Sequence, residues 1–235
     1  MTKIEVYSSL SFEDAVDVDG KNIDHPRLWA MHQAMIPLLR VMDAVHFSYE
    51  NPLSNKLILR QGQVVVHYAM QEKFHDLFEG WQELKYPIEH AIPISQVPGS
   101  DDKKSMPLNH TLVYRPDVVG SPDNPDDPPS EHYRGSAVDV NPFHNPIINP
   151  DHTVEPTEAI GHVPRLSMVL RRHPNVIRRA LDLDFEWGGD WDDARAGKGY
   201  YGIDTAGQPR HIVQDPHHFE LIPDLAKQLE MPEAA

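Results

Sequence analysis

The 235-residue chain contains no cysteine. That removes disulfides, thiol nucleophiles and every cysteine-type zinc site, so any metal must be held by His, Asp or Glu. Also missing is an apolar run approaching the roughly 18 residues that span a bilayer. The N-terminal stretch MTKIEVYSSLSFEDAVDVDG has no basic segment followed by an apolar one, so it does not read as a secretory signal. The expectation is synthesis in the cytosol, with any action at a cell wall following release by another route. Positive charge is in short supply too, and the formal net charge is -15. The average field repels polyanions, which makes nucleic acid or an acidic wall polymer a poor electrostatic partner.

What is present suffices for a real core, since hydrophobic residues make up 40% of the chain. From Arg27 to Met42 the residues Leu28, Met31, Met35, Leu39 and Met42 recur at helical steps, predicting a helix kinked at Pro37. KLILRQGQVVVHY, Lys56 to Tyr68, reads as two short strands turning at Gln61-Gly62. Met70, Phe74, Leu77, Phe78, Trp81 and Leu84 give a strong helical stripe that stops before Pro87. IEHAIPIS, SAVDV and HFEL read as strands, and RLSMVLRRHPNVIRRALDL as helical turns broken near Pro174. GYYGIDTAGQPRHIV reads as a hairpin around Thr205-Ala206-Gly207. Short strands mixed with separate helices predict an α+β domain.

Two segments concentrate the chemistry. In SEHYRGSAVDVNP, Gly135 permits a tight turn after His132. The following strand points Val138 and Val140 one way and Ala137, Asp139 and Asn141 the other. In DPHHFEL, His218 and Glu220 share one face, while His217, Phe219 and Leu221 share the core-seeking one. If the two strands are neighbours, His132, Asp139 and His218 converge as three protein ligands with an open fourth position, the arrangement of catalytic zinc. Asp215 then falls beside that position, where a general base is needed. By composition alone, manganese, iron and cobalt remain open alternatives.

SEHYRGSAVDVNP, FEWGGDW and DPHHFE together resemble the zinc D-alanyl-D-alanine carboxypeptidase and L-alanyl-D-glutamate endopeptidase family, which includes phage endolysins and D-Ala-D-Ala dipeptidases. The matching positions are Ser130, His132, Gly135, Ala137, Asp139, Asp215 and His218, and the likeness extends from about Gln61 to Pro223. The resemblance implies a small antiparallel sheet with helices on one side, as in DD-peptidase and hedgehog domains. It also implies one zinc ion and hydrolysis of a peptidoglycan stem-peptide bond in wall peptides or muropeptides. Residues 1–60 become an extension of unknown role, 61–223 the peptidase domain and 224–235 a tail. On the same resemblance Arg115 steadies the scissile carbonyl or its oxyanion, and Ser130 orients His132 or the substrate. Asp215 ranks above Glu186 as the base, and His218 above His217 as the ligand. Glu220 is expected to hold the second ring nitrogen of His218. Trp187 and Trp191 either wall the cleft or pack a core turn. The chain departs from the family in a longer, acidic loop from Val118 to Pro129 and an expanded segment from Asp192 to Gln214.

Two other classes compete. One is a non-catalytic zinc module of the same fold. The other is a non-haem iron oxygenase, although those sites place the first His and the carboxylate two residues apart rather than seven.

Overall fold

Pro37 decides how the chain continues after its first described helix. In the computed structural model, which describes residues 4–6, 26–92, 110–111, 130–148, 153–156, 159, 164–191 and 214–229, helix α1 (Pro26–Met35) gives way to a single 3-10 turn over Ile36–Leu38. Proline has no N–H to continue the ladder, and its ring collides with the carbonyl four residues back. The expected kinked helix to Met42 is therefore replaced by an 11-residue strand, β2 (Leu39–Tyr49). The core confirms the change of period. Leu39 and Met42 would share a helical face, but on a strand they oppose each other, and they lie in separate buried clusters.

Strand β3 (Leu57–His67) is also continuous. It pairs antiparallel with β2 along its whole length, from Leu39 opposite His67 to Tyr49 opposite Leu57. The hairpin expected at Gln61-Gly62 lies instead at the Asn-Pro segment after β2. There Asn51 Oδ1 accepts from the Leu53 amide at 3.0 Å, and the Glu50 amide donates to the Lys56 carbonyl at 3.0 Å. Gly62 serves packing rather than a turn, because a Cβ there would lie 2.1 Å from the Ala91 carbonyl oxygen. Strand β1 (Ile4–Val6) adds in parallel to the other edge of β3. Residues 39–60 thus contribute a full strand and part of a second to this sheet.

Helix α2 (Gln71–Glu83) follows the predicted stripe, with Phe74, Leu77, Phe78 and Trp81 buried. Leu84 falls at its C-cap and stays exposed. Two-residue strands β4 (His90–Ala91) and β5 (His110–Thr111) pair in parallel. Next come α3 (Glu131–Arg134), β6 (Ala137–Asp139) and a small ribbon of β7 (Ile147–Ile148) and β8 (Val154–Glu155). Single 3-10 turns over Leu166–Met168 and Leu170–Arg172 break off at His173, as expected near Pro174, and helix α4 (Pro174–Leu181) begins at that proline, whose missing N–H costs nothing in the first turn. Strands β9 (Phe185–Trp187) and β10 (His218–Leu221) precede the short helix α5 (Pro223–Ala226). A second antiparallel sheet runs in the order β6-β10-β9. Its inner face packs on α2, with the Phe74 and Phe185 rings 5.2 Å apart and Trp81 and Phe219 5.7 Å apart. Trp81 Nε1 also donates to the Val176 carbonyl on α4 at 3.1 Å. The architecture is α+β, with small antiparallel sheets. Among the described residues no helix is long and apolar enough to cross a membrane. The expected hairpin around Thr205-Ala206-Gly207 lies outside the described residues.

His46, buried on β2, donates from Nδ1 to the Ala44 carbonyl at 2.8 Å. Burial, partly offset by that bond, pushes its imidazole down to about 4. The unfolded chain, with an ordinary value near 6.5, then binds more protons between those limits. The stability contributed by neutral His46 is complete above pH ~6.5 and is lost as pH falls towards ~4. Urea unfolding at pH 7 and pH 4.5 should show a smaller acid loss in His46→Leu than in wild type, by up to about 2–3 kcal/mol.

Candidate metal centre and catalytic site

Strands β6 and β10 pair with His218 opposite Asp139, Phe219 opposite Val138 and Glu220 opposite Ala137. Directly opposed residues share a face, so Asp139, His218 and Glu220 line one side of the sheet. Val138, Phe219 and Leu221 are buried in the core on the other. The apolar residues fix which way the histidine points.

His132 arrives from α3. Its backbone amide donates to Ser130 Oγ at 3.2 Å, making Ser130 the N-cap. The helix stops after one turn at Gly135, whose φ of 67° lies in the left-handed region. A Cβ at Gly135 would stand 2.6 Å from the His67 amide nitrogen, which donates to the Gly135 carbonyl at 3.1 Å. The turn therefore docks tightly on the end of β3 and brings His132 over β6.

His132 Nε2 lies 3.0 Å from Asp139 Oδ1 and 3.1 Å from His218 Nδ1, and His218 Nδ1 lies 3.0 Å from Asp139 Oδ1. All three residues are buried. Hydrogen bonds satisfy this closed triangle poorly, because a ring N–H points along one direction and cannot serve two edges at once. One cation bound by all three atoms would satisfy them together. A tetrahedral set with bonds near 2.1 Å has donor separations of roughly 3.4 Å, close to those present. The donor set of two imidazoles and a carboxylate, with no thiolate, fits Zn²⁺. His218 Nε2 donates to Glu220 Oε2 at 3.0 Å, which fixes the tautomer that leaves Nδ1 facing the triangle.

The electrostatics match this geometry. Burial by itself would raise Asp139, but the imidazoles of His132 and His217 and the bonds from His132 and His218 outweigh it, holding the carboxyl well below its usual range. Burial would lower His218, but its bonds to Asp139 and Glu220 and their charges hold the ring well above the usual histidine value. Asp215 is raised by burial, partly countered by His217 and His218.

Asp215 sits in the turn entering β10, with its side chain 18% exposed and Oδ1 3.1 Å from His217 Nε2. Its backbone is clamped to the FEWGGDW segment. The Asp215 amide donates to the Gly188 carbonyl at 3.0 Å, and a Cβ on Gly188 would meet the Asp215 carbonyl oxygen at 2.5 Å. Trp187 Nε1 donates to the Pro216 carbonyl at 2.9 Å. Of the two tryptophans read as cleft walls, Trp191 lies beside the triangle, its ring 5.3 Å from that of His218. Trp187 does not. Strand alternation places it with Phe219 and Val138 on the inner face, where it joins the core. Glu186 pairs with Glu220, a strand further from Asp139. His217 lies beside Asp215 rather than on the core face, because the turn at 216–217 precedes the strand and breaks its alternation. Arg115, the 118–129 loop and the 192–213 segment lie outside the described residues.

Asn141, expected on the polar face beside Asp139, and Asn145, which nothing in the sequence singles out, hold the backbone around the site. Asn141, at a left-handed φ of 49°, accepts the Glu89 amide on Oδ1 at 2.9 Å and donates to the Pro87 carbonyl at 2.8 Å. It ties the end of β6 to the chain after α2. The Asn-Pro spacing shows a turn there but not its partners.

The comparisons fall on this region. A family model described as D-alanyl-D-alanine carboxypeptidase matches residues 124–195. That stretch carries Ser130, His132, Asp139 and Trp191, spans under a third of the chain, and stops before Asp215 and His218. It supports a peptidase. Neither the curated proteins nor the solved structures give a significant match.

Two outcomes are expected. His132→Ala, Asp139→Ala and His218→Ala should each abolish tight zinc retention, read as metal per chain after dialysis. In wild type, binding must expel the proton that His218 holds so strongly. Zinc affinity by competition titration should therefore rise by up to about tenfold per pH unit below the folded value of His218 and level off above it.

Proposed function

We propose that this chain is a zinc-dependent peptidase that hydrolyses a peptide bond of the peptidoglycan stem peptide, of the L-Ala-D-Glu endopeptidase or D-Ala-D-Ala carboxypeptidase type. The observation that carries the reading is the buried triangle of His132, Asp139 and His218 with Asp215 at its edge. The family match over the first two of those ligands supports it.

When bound, zinc supplies Lewis acidity, polarising the scissile carbonyl and acidifying the attacking water. The remaining work belongs to the side chains. Asp215 takes a proton from the water as the carbon–oxygen bond forms. It returns that proton to the amine nitrogen as the carbon–nitrogen bond breaks. Its raised proton affinity suits both halves of the task. Glu220 keeps His218 in one tautomer, and Ser130 keeps His132 on its one-turn helix. Trp191 shields the ring of His218 from water. In this reading Arg115 donates to the developing oxyanion, an effect of about 3 kcal/mol for one such donor.

The deciding experiment uses a defined muropeptide that carries both candidate bonds, with products identified by mass. Wild type should bind one zinc per chain and cleave one bond. Asp215→Ala should bind zinc equally and lose about 10²–10⁴-fold in kcat. Retention of zinc by both proteins with no cleavage by either would favour a binding module instead. Gly188→Ala should keep the zinc but lose at least tenfold in kcat, because its methyl displaces the Asp215 backbone.

A further inference from the structure

The proposed chemistry leaves one buried histidine beside the triangle without a task. His217 Nδ1 lies 2.8 Å from the Asn145 carbonyl oxygen. A carbonyl only accepts, so Nδ1 carries the hydrogen and Nε2 is the atom turned to the site. That atom stands 3.1 Å from Asp215 Oδ1 and 3.9 Å from Asp139 Oδ1. The contact with Asp215 is at ion-pair distance, well inside that to Asp139. Asp215 Oδ1 is buried and accepts no aligned hydrogen bond among the described residues, so its contact with His217 Nε2 is an electrostatic one.

The anchor under His217 is itself fixed. Asn145 Nδ2 donates to the carbonyls of Val140 at 3.3 Å, Asn141 at 3.1 Å and Met168 at 3.0 Å. Its Oδ1 accepts the Leu170 amide at 2.7 Å. The imidazole thus hangs from a turn held on three sides. His217 also stands outside the ligand triangle, whose edges are 3.0–3.1 Å.

We propose that His217 is the positioning residue for Asp215. Hung by Nδ1–H on the Asn145 carbonyl, it engages Asp215 Oδ1 through Nε2 and leaves Oδ2 as the oxygen that exchanges the proton with water and the leaving amine. The catalytic consequence rests on the peptidase reading, whereas the pairing itself does not.

The test separates the two. In protein labelled with 15N-histidine, imidazole correlation spectra of the metal-free and zinc-loaded forms should show His217 protonated at Nδ1. Its Nε2 signal should move on Asp215→Ala. Three variants then probe function. His217→Asn can still reach the Asn145 carbonyl but not Asp215. His217→Gln places an amide donor near the position of Nε2. His217→Phe keeps the volume and neither bond. All three should hold one zinc per chain with unchanged affinity. Turnover of the muropeptide should fall about 10–100-fold in His217→Asn and His217→Phe, with KM within about twofold, and recover to within a few-fold in His217→Gln. A His217 Nε2 signal indifferent to Asp215→Ala overturns the pairing. Weakened zinc affinity in the variants would make His217 a ligand, and equal activity of His217→Gln and His217→Asn would make its role structural. Each overturns the proposal. If the Nε2 signal responds but wild type cleaves nothing, the pairing stands and the peptidase reading fails.

Discussion

Strand β10 is held between β6 and β9 in one register, and that register sets His218 against Asp139. Because side chains alternate with a period of two, a slip by one residue would bring Phe219 opposite the carboxylate and turn His218 into the core. The slip is opposed by apolar burial. Phe219 is fully buried among Trp81, Trp187 and Val138, and exposing it would forfeit about 2–3 kcal/mol. The hydrophobic face of a four-residue strand therefore aims its polar face.

The same economy runs through the rest of the site. Each polar group that approaches the triangle is held by backbone that packing has already placed. Ser130 caps a one-turn helix that ends against β3. Glu220 reaches His218 along one face of one strand. Asp215 is fixed by a glycine that lets two backbones touch. Buried ionisable groups are costly unless each finds a partner. Here three of them share one another, a geometry that a cation resolves better than any distribution of protons.

Much of this was legible from residue pattern, and what was not has physical reasons. Alternation in SAVDV and HFEL separates Asp139 and His218 from the core-facing valines and phenylalanine, because both strands are short and regular, with apolar side chains on one buried face and polar ones on the other. Helix α2 was legible from its long apolar stripe. The stretch from Leu39 to Met42 reads as helix because three-residue spacing of apolar residues also arises on a strand that buries a residue on each face, and Pro37 marks a stop rather than a kink. Gly62 suggested a turn, but a glycine can equally serve a close approach from a distant strand, which no local window reveals. Trp187 and Trp191 looked equivalent in FEWGGDW. Only the pairing of β9 with β10 sends the first into the core while the second, past the strand end, turns towards His218. The placement of His217 depended on a turn that breaks alternation one residue before the strand begins.

The clamp between residues 187–191 and 214–216 has a bearing on how the chain can vary. Gly188 to Asp215, Trp187 to Pro216 and Arg171 to both Gly189 and Gln214 bring the two ends of the intervening segment together at one place. The folded framework thus holds these two ends together. The entropic cost of a loop whose ends are already joined grows only with the logarithm of its length, about 0.6 kcal/mol per doubling. Insertions between those ends can lengthen the chain while leaving the Asp215 carboxylate where it is. The clamp makes the interval between its two halves a natural position for length variation that does not rebuild the site itself.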